Sequence, residues 1–141
     1  MKSDGNIWRD ENGVCHAEGD DIDSAFEMMG YAHGRDRCMQ IVLMRILGQG
    51  RASELLNAGD DMLEIDIFFR RMNWTGSVAG ELEKLTPEAM NVVEAYCAGV
   101  NRAMGESIPW EFKLLGFRPE PWRPEDILLI SRMVGYLTLS Q

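Results

Sequence analysis

No run of about 18 consecutive apolar residues occurs in this sequence, so a helix crossing a membrane is excluded. Basic residues are also scarce. Fourteen Lys and Arg stand against 23 Asp and Glu, a net charge of −9. That balance argues against a nucleic-acid partner, because neutralising phosphates needs a Lys/Arg surplus on some face. Cysteine is limited to three, Cys15, Cys38 and Cys97, which cannot all pair within the chain. They read as thiols filling small apolar sites, with no disulfide framework. A zinc set built from Cys15, His16, His33 and Cys38 has none of the standard ligand spacings, so no metal site is expected. The opening MKSDGNIWRD has no apolar h-region. As written, the chain is therefore expected to be cytoplasmic, or periplasmic or secreted if a leader was trimmed. G-x-S-x-G, Walker, H-E-x-x-H and G-x-G-x-x-G motifs are all missing, as are repeats and low-complexity tracts.

Apolar residues make up 45% of the 141, ample for a core. The chain starts with a hairpin signal: Gly5 to Arg9 and Gly13 to Ala17 flank Asp10-Glu11-Asn12-Gly13, and Asn-Gly favours a two-residue turn. Such a hairpin is too small to stand alone and needs a sheet to join. Helices follow. Asp20, Asp21 and Asp23 read as N-terminal caps of a helix whose apolar face is Ile22, Phe26, Met29 and His33. The glycine and glutamate of an EF-hand are missing after these acids, which removes a calcium loop. Gly30 and Ala32 let another backbone come close, and the helix is expected to hinge near Gly34. The next piece buries a stripe of Met39, Val42, Leu43, Ile46 and Leu47 and closes on an Arg51 to Glu54 pair.

Asp60 and Asp61 repeat the cap logic before a helix over Met62 to Met72. Glu64 and Asp66 within it read as a solvated face and not as paired acid and base. Thr86-Pro87 starts a helix with the face Met90, Val93, Cys97, Val100 and Met104, ending near Gly105. A short helix over Pro109 to Leu115 stops at Gly116, and Arg118-Pro119-Glu120-Pro121-Trp122 forms an extended link. The last helix, Pro124 to about Leu139, has Glu125 and Asp126 at its positive end and is apolar around more than one side. Nothing in the sequence supplies a second layer to cover it. The ten methionines read mainly as adaptable core filler, some of them available to line a pocket for an aromatic or acyl group.

Catalytic groups are few. His16 and His33 read as hydrogen-bonded structural residues. The serines, from Ser3 and Ser24 to Ser131 and Ser140, lie among caps, helices and loops, and no complete active site is present.

Four blocks nevertheless form a recognisable series: WRDENGVCHAEGDDIDSAF (Trp8 to Phe26), GYAHGRDRCMQIVLMRILGQGRASE (Gly30 to Glu54), EAYCAGVNRAM (Glu94 to Met104) and EFKLLGFRPEPWRPEDILLI (Glu111 to Ile130). In this order, over nearly the whole chain, they resemble the α chain of the penicillin acylase family of N-terminal-nucleophile (Ntn) amide hydrolases. A small departure is Arg123, where relatives often place a capping Thr or Asp before the proline.

The resemblance implies a mainly α chain with a short N-terminal β-hairpin, the α-chain part of an αββα Ntn-hydrolase fold completed by a β chain. Residues 1–141 then form a single α-subunit segment (5–17 hairpin, 22–139 helical) that is not an independent domain. It implies a precursor that cuts itself into α and β chains, with no catalytic residue here and the N-terminal Ser of the β chain as nucleophile. The substrate would be a small N-acyl amide. Counted from Trp122, Pro124 and Asp126, the positions that line the acyl pocket in relatives fall at Gly135 and Leu139, with Thr138 where some relatives have Arg; Met133 and Tyr136 are reached by a slip of one or two. Gly135 would leave room and Leu139 an aliphatic wall. No cofactor is implied, and a structural calcium, where relatives hold one, would lie mainly on the β chain. An acyl-homoserine lactone acylase of the same family, or a helical interaction module without chemistry, is the alternative.

Overall fold

The computed structural model describes residues 5–139. It is mostly helical: β1 (Gly5–Arg9), β2 (Cys15–Gly19), α1 (Ile22–Asp36), α2 (Cys38–Gly48), α3 (Ala52–Leu55), α4 (Asp60–Met72), α5 (Val78–Leu82), α6 (Pro87–Glu106), α7 (Trp110–Leu114) and α8 (Pro124–Leu139). Ser3 and Ser140 lie outside the described residues. The chain divides into two compact units. One holds the hairpin, α1, α6 and residues 120–124; the other holds α3 to α5, α7 and nearly all of α2 and α8.

In the first unit β1 and β2 pair antiparallel, with Arg9 opposite Cys15 and Gly5 opposite Gly19. The second strand thus begins two residues later than the Asn-Gly signal predicts. The Asp10 carboxylate is the cause, since it accepts the backbone N–H groups of Asn12 and Val14, each at 2.9 Å. Gly13 sits at φ 79° and donates to the Asp10 carbonyl at 2.9 Å, so the connection becomes a five-residue Asx-stabilised loop. Trp8 and His16, opposite each other across the strands, stack at 4.0 Å.

Helix α1 starts where the acids predict. Asp21 accepts from the Ser24 N–H at 2.7 Å and its own N–H donates to Ser24 Oγ, a capping box. Its buried face is not the predicted one. Ile22 is 64% exposed, while Met28, Gly30, Ala32 and Gly34 face inward. The reason lies on α6. A Cβ at Gly30 would stand 2.1 Å from the Tyr96 carbonyl oxygen, and one at Gly99 would stand 1.9 Å from that of Glu27. Two helix backbones touch directly, and small residues make the seam because larger ones cannot. Gly34 is therefore a packing position within α1, and the break between α1 and α2 falls at Arg37.

Along the rim of the seam, Arg102 donates to Glu27 at 2.8 Å and lies 4.6 Å from the centre of the Tyr31 ring. The Tyr31 hydroxyl donates to Glu106 at 2.6 Å. Asn101 holds the Pro-rich link by a reciprocal pair with Trp122, accepting its N–H at 2.6 Å and donating to its carbonyl at 2.9 Å. Helix α6 begins at the predicted cap, with Thr86 Oγ1 accepting from the Ala89 N–H at 3.2 Å and Pro87 in the first turn.

In the second unit α2 buries Val42 and Ile46, and α8 buries Asp126, Leu129 and Met133. Helix α4 starts at Asp60, earlier than predicted, behind Gly59, which makes no side-chain cap. Asp60 and Asp61 thus serve the dipole from the first turn and do not cap it. Asn73, left-handed at φ 51°, ends the helix. Helix α7 stops before Gly116, which takes φ 64°, as its sequence position predicts. Arg51 and Glu54 pair at 2.9 Å.

The seam generates a test by thermal unfolding of the intact protein. Gly99→Ala is expected to cost about 2–4 kcal/mol, because the methyl group can be relieved only by moving backbone. Gly105→Ala, on the same helix with no described residue within 4 Å of an added Cβ, is expected to be neutral or to stabilise by up to about 1 kcal/mol.

Candidate functional site

Helix α8 carries all the residues singled out for substrate contact, and two interactions on its inner side fix it. At its first turn Asp126, 5% exposed, accepts from Arg45 at 3.1 Å, and Arg45 is itself 3% exposed. Gln49 Nε2 adds a bond to the same carboxylate at 3.4 Å. Further along, Leu129 and Met133 pack on Gly48, where an added Cβ would stand 2.5 Å from the Met133 sulfur. Asp126, Leu129 and Met133 recur at helical spacing and form one inward stripe.

The four candidates are divided by this arrangement. Met133 belongs to the inward stripe and is 2% exposed. Tyr136 joins an aromatic group on the neighbouring side, 5.9 Å from Phe68 and 5.5 Å from Trp74, with Phe69 next to both partners. Gly135 and Leu139, four residues apart, share a third face. Among the described residues an added Cβ at Gly135 meets nothing within 4 Å, and Leu139 is 86% exposed. Gly135 and Leu139 are thus brought together, with Tyr136 beside them and Met133 turned away. Thr138 is engaged locally, its hydroxyl donating to the Val134 carbonyl at 2.8 Å. Val134 and Leu137 are about half exposed, so the last turns of α8 are apolar and largely uncovered within this chain.

One anchoring residue departs from its sequence reading. Asp66 does not lie on a solvated face but is 2% exposed. Its carboxylate accepts the backbone N–H groups of Ala52 and Ser53 at 2.7 and 2.8 Å, and also the Ser53 hydroxyl. From one turn further along α4, Arg70 Nε donates to the Gly50 carbonyl at 2.8 Å. Gly50, at φ 64°, takes the corner. The signal was present in the sequence: Arg51 precedes α3 and offers no acceptor, so the first N–H groups of that helix needed one from elsewhere. Burial works to raise the Asp66 pKa, but the Ser53 and Ala52 hydrogen bonds and the Arg70 charge outweigh it and hold the group below the usual carboxylate value.

The remaining groups with chemical potential are committed to structure. His16 Nε2 lies 3.2 Å from Asp10 Oδ2, and His33 Nδ1 is hydrogen-bonded to the Tyr96 hydroxyl at 2.8 Å. Burial pushes the Tyr96 phenol up to about 12, so it remains protonated at neutral pH. Ser24 belongs to the α1 cap, Ser53 binds Asp66, and Ser131 donates to the Ile127 carbonyl at 2.9 Å. Cys38 and Cys97 are buried and Cys15 half-buried. Among the described residues no group of three or more His, Cys, Asp or Glu is placed to hold a metal, and no helix is long and apolar enough to cross a membrane. What the chain offers is an apolar, partly aromatic wall on a firmly anchored helix.

An N-terminal hairpin followed by helices is a fold this chain shares with a solved penicillin acylase chain. A thermostable penicillin G acylase from Alcaligenes faecalis superposes with a TM-score of 0.88 over 99% of this chain and 76% of that one, at 22% identity. Sequence comparison establishes the relationship: the penicillin amidase family profile matches residues 4–141, and the chain belongs to that family. It is 36% identical over 133 residues to the penicillin acylase 2 proenzyme of Pseudomonas sp. (strain SE83), covering 93% of this chain and 17% of that protein. To the acyl-homoserine lactone acylase QuiP of Pseudomonas fluorescens (strain Pf0-1) it is 33% identical over 135 residues, covering 93% and 16%. To the penicillin G acylase of Escherichia coli it is 30% identical over 131 residues, covering 88% and 15%. The chain thus spans about a sixth of the length of these relatives.

The Asp66 anchor generates a pH test. A carboxylate with a depressed folded pKa contributes stability above its unfolded value, near 4, and that stability is lost as pH falls through the folded value. Acid titration of thermal stability is expected to lose a component below about pH 4 that Asp66→Asn lacks. At neutral pH, Asp66→Ala is expected to cost about 2–3 kcal/mol by leaving the buried Ala52 N–H and the half-buried Ser53 N–H without this acceptor.

Proposed function

We propose that this chain is the α subunit of a heterodimeric N-acyl amide hydrolase and contributes one wall of its acyl-group pocket. The partner is a β subunit released from the same precursor. The observation that carries the reading is the open Gly135 and Leu139 face on a helix whose opposite side is locked by Asp126, Leu129 and Met133. An apolar face of this kind is expected to be covered by other protein or by substrate. The proenzyme among the relatives, and the small share of their length that this chain covers, support a larger protein around it. The hairpin, a two-stranded sheet among the described residues, would extend a sheet of the partner and complete an αββα fold.

On this reading the chemistry belongs to the β chain. Its N-terminal serine Oγ attacks the amide carbonyl, its own α-amine takes the proton, and the amine leaves as an acyl-enzyme forms; water then releases the acid. The α chain orients the acyl group, which is how binding remote from the reacting atoms contributes to rate. A bare Gly135 beside an aliphatic Leu139 favours an aliphatic acyl chain. That makes an acyl-homoserine lactone acylase the second reading, supported by the similarity to QuiP. Any structural calcium would lie mainly on the β chain, and the compartment would be periplasmic if the complete gene supplies a leader.

Expression of the native gene, with intact mass and N-terminal sequencing of everything that co-purifies with this chain, tests the reading. A second, longer chain beginning with Ser, Thr or Cys is expected. A lone, monodisperse and cooperatively folded 141-residue chain would instead support a helical interaction module. In the assembled protein, Gly135→Leu is expected to lower kcat/KM for long acyl groups by about tenfold while sparing short ones, as filling a pocket by a few methylenes does.

A further inference from the structure

The Asp126 anchor and the open face of α8 lie at opposite ends of the helix. Thirteen residues separate Asp126 from Leu139, about 20 Å at the helical rise. Leu129 and Met133 continue that anchor along the inner side of the helix as far as Gly48, but none of the three touches the outer side of the last turns. A second set of contacts lies much closer. The Arg132 guanidinium donates to the Trp74 carbonyl and to Glu81 Oε1. One turn on, the Tyr136 ring packs against the Trp74 indole at 5.5 Å and against Phe68 at 5.9 Å. Arg132 and Tyr136 therefore grip one residue, by its backbone and by its ring. That residue sits in the turn between α4 and α5, just after left-handed Asn73.

The clamp lies alongside the open face. Arg132 and Leu139 are a heptad apart and project within about 20° of each other around the helix. Arg132 is half-buried, with its side chain 21% exposed against 45% for Glu81, so the bond to the Trp74 carbonyl is the less screened half of the clamp. Leu139, at 86% exposed, has little packing of its own to hold its direction. We infer that Arg132 is a positioning residue: by clamping α8 to Trp74 and Glu81 it sets the rotation of the last two turns, and through them the acyl-chain length that the Gly135 and Leu139 wall accepts. The inference rests on the function proposed above and adds the residue that tunes its selectivity.

The test uses the assembled protein expressed from the native gene and a panel of N-acyl amides with one common amine and straight acyl chains of increasing length. Arg132→Met is expected to change the ratio of kcat/KM between long and short chains by about tenfold, through KM more than kcat, whereas a merely structural loss would lower all chains alike. Arg132→Lys, which keeps a cationic donor, is expected to restore part of the wild-type profile. Glu81→Gln leaves the Trp74 bond in place and is expected to shift the profile the same way by less; it carries the test should Arg132→Met fail to assemble. A profile within about twofold of wild type in these variants, or a uniform loss across all chain lengths, would overturn the inference while leaving the proposed function standing. Wild-type protein that hydrolyses none of the amides would overturn both.

Discussion

A buried charge pair constrains how α2 and α8 meet in the second unit. Arg45 and Asp126 are almost fully removed from water, and each would be costly there without the other. Their separation of 3.1 Å, with Gln49 on the same carboxylate, is reached only when the first turn of α8 faces the last turns of α2 in one register. A pair of this kind adds little net stability over an apolar substitute, but a packing that separated the two charges while keeping them buried would be strongly disfavoured. Glycine reinforces the register: Gly48 leaves the hollow that Met133 fills. Asp66 repeats the device at a smaller scale, since a carboxylate from α4 supplies the acceptor that α3 lacks.

The first unit reaches specificity by a different route. Its helices α1 and α6 meet backbone to backbone at Gly30 and Gly99, and the polar groups sit on the rim of that seam, in Arg102, Glu27, Tyr31 and Glu106. Close approach gains dispersion contacts along the seam, while the charges stay near water, where their desolvation is small. One unit thus buries charge to fix register, and the other excludes bulk to fix distance.

Much of this was legible in the sequence wherever a local rule decides the outcome. The Asp21 and Thr86 caps, Pro87, the Gly116 stop and the bounds of α8 depend on residues within a few positions of each other. The ability of Gly30 to admit another backbone was also readable. Misreadings arose where a distant partner overrode local pattern. Ile22 and Phe26 fit an amphipathic face, but the α6 backbone claimed the glycine side of α1. Asp66 looked like surface charge because the backbone donors it serves, at Ala52 and Ser53, lie fourteen and thirteen residues earlier in the chain. The hairpin shift came from an Asp10 side chain competing for the turn's N–H groups, which an Asn-Gly count does not weigh. On α8 the division of Met133 from Gly135 and Leu139 follows from helical spacing once Asp126 and Leu129 identify the inward stripe.

The glycines of this chain have opposite capacities for change. At Gly30 and Gly99 no side chain can be added without displacing a helix, so every substitution there draws heavily on the stability of the chain. At Gly135 an added Cβ meets none of the described residues within 4 Å. Variation at that position therefore draws little on the stability margin of the chain, and a lineage can drift through many side chains there while the helix beneath stays fixed. Evolvability and foldability are thus assigned to different residues of the same type.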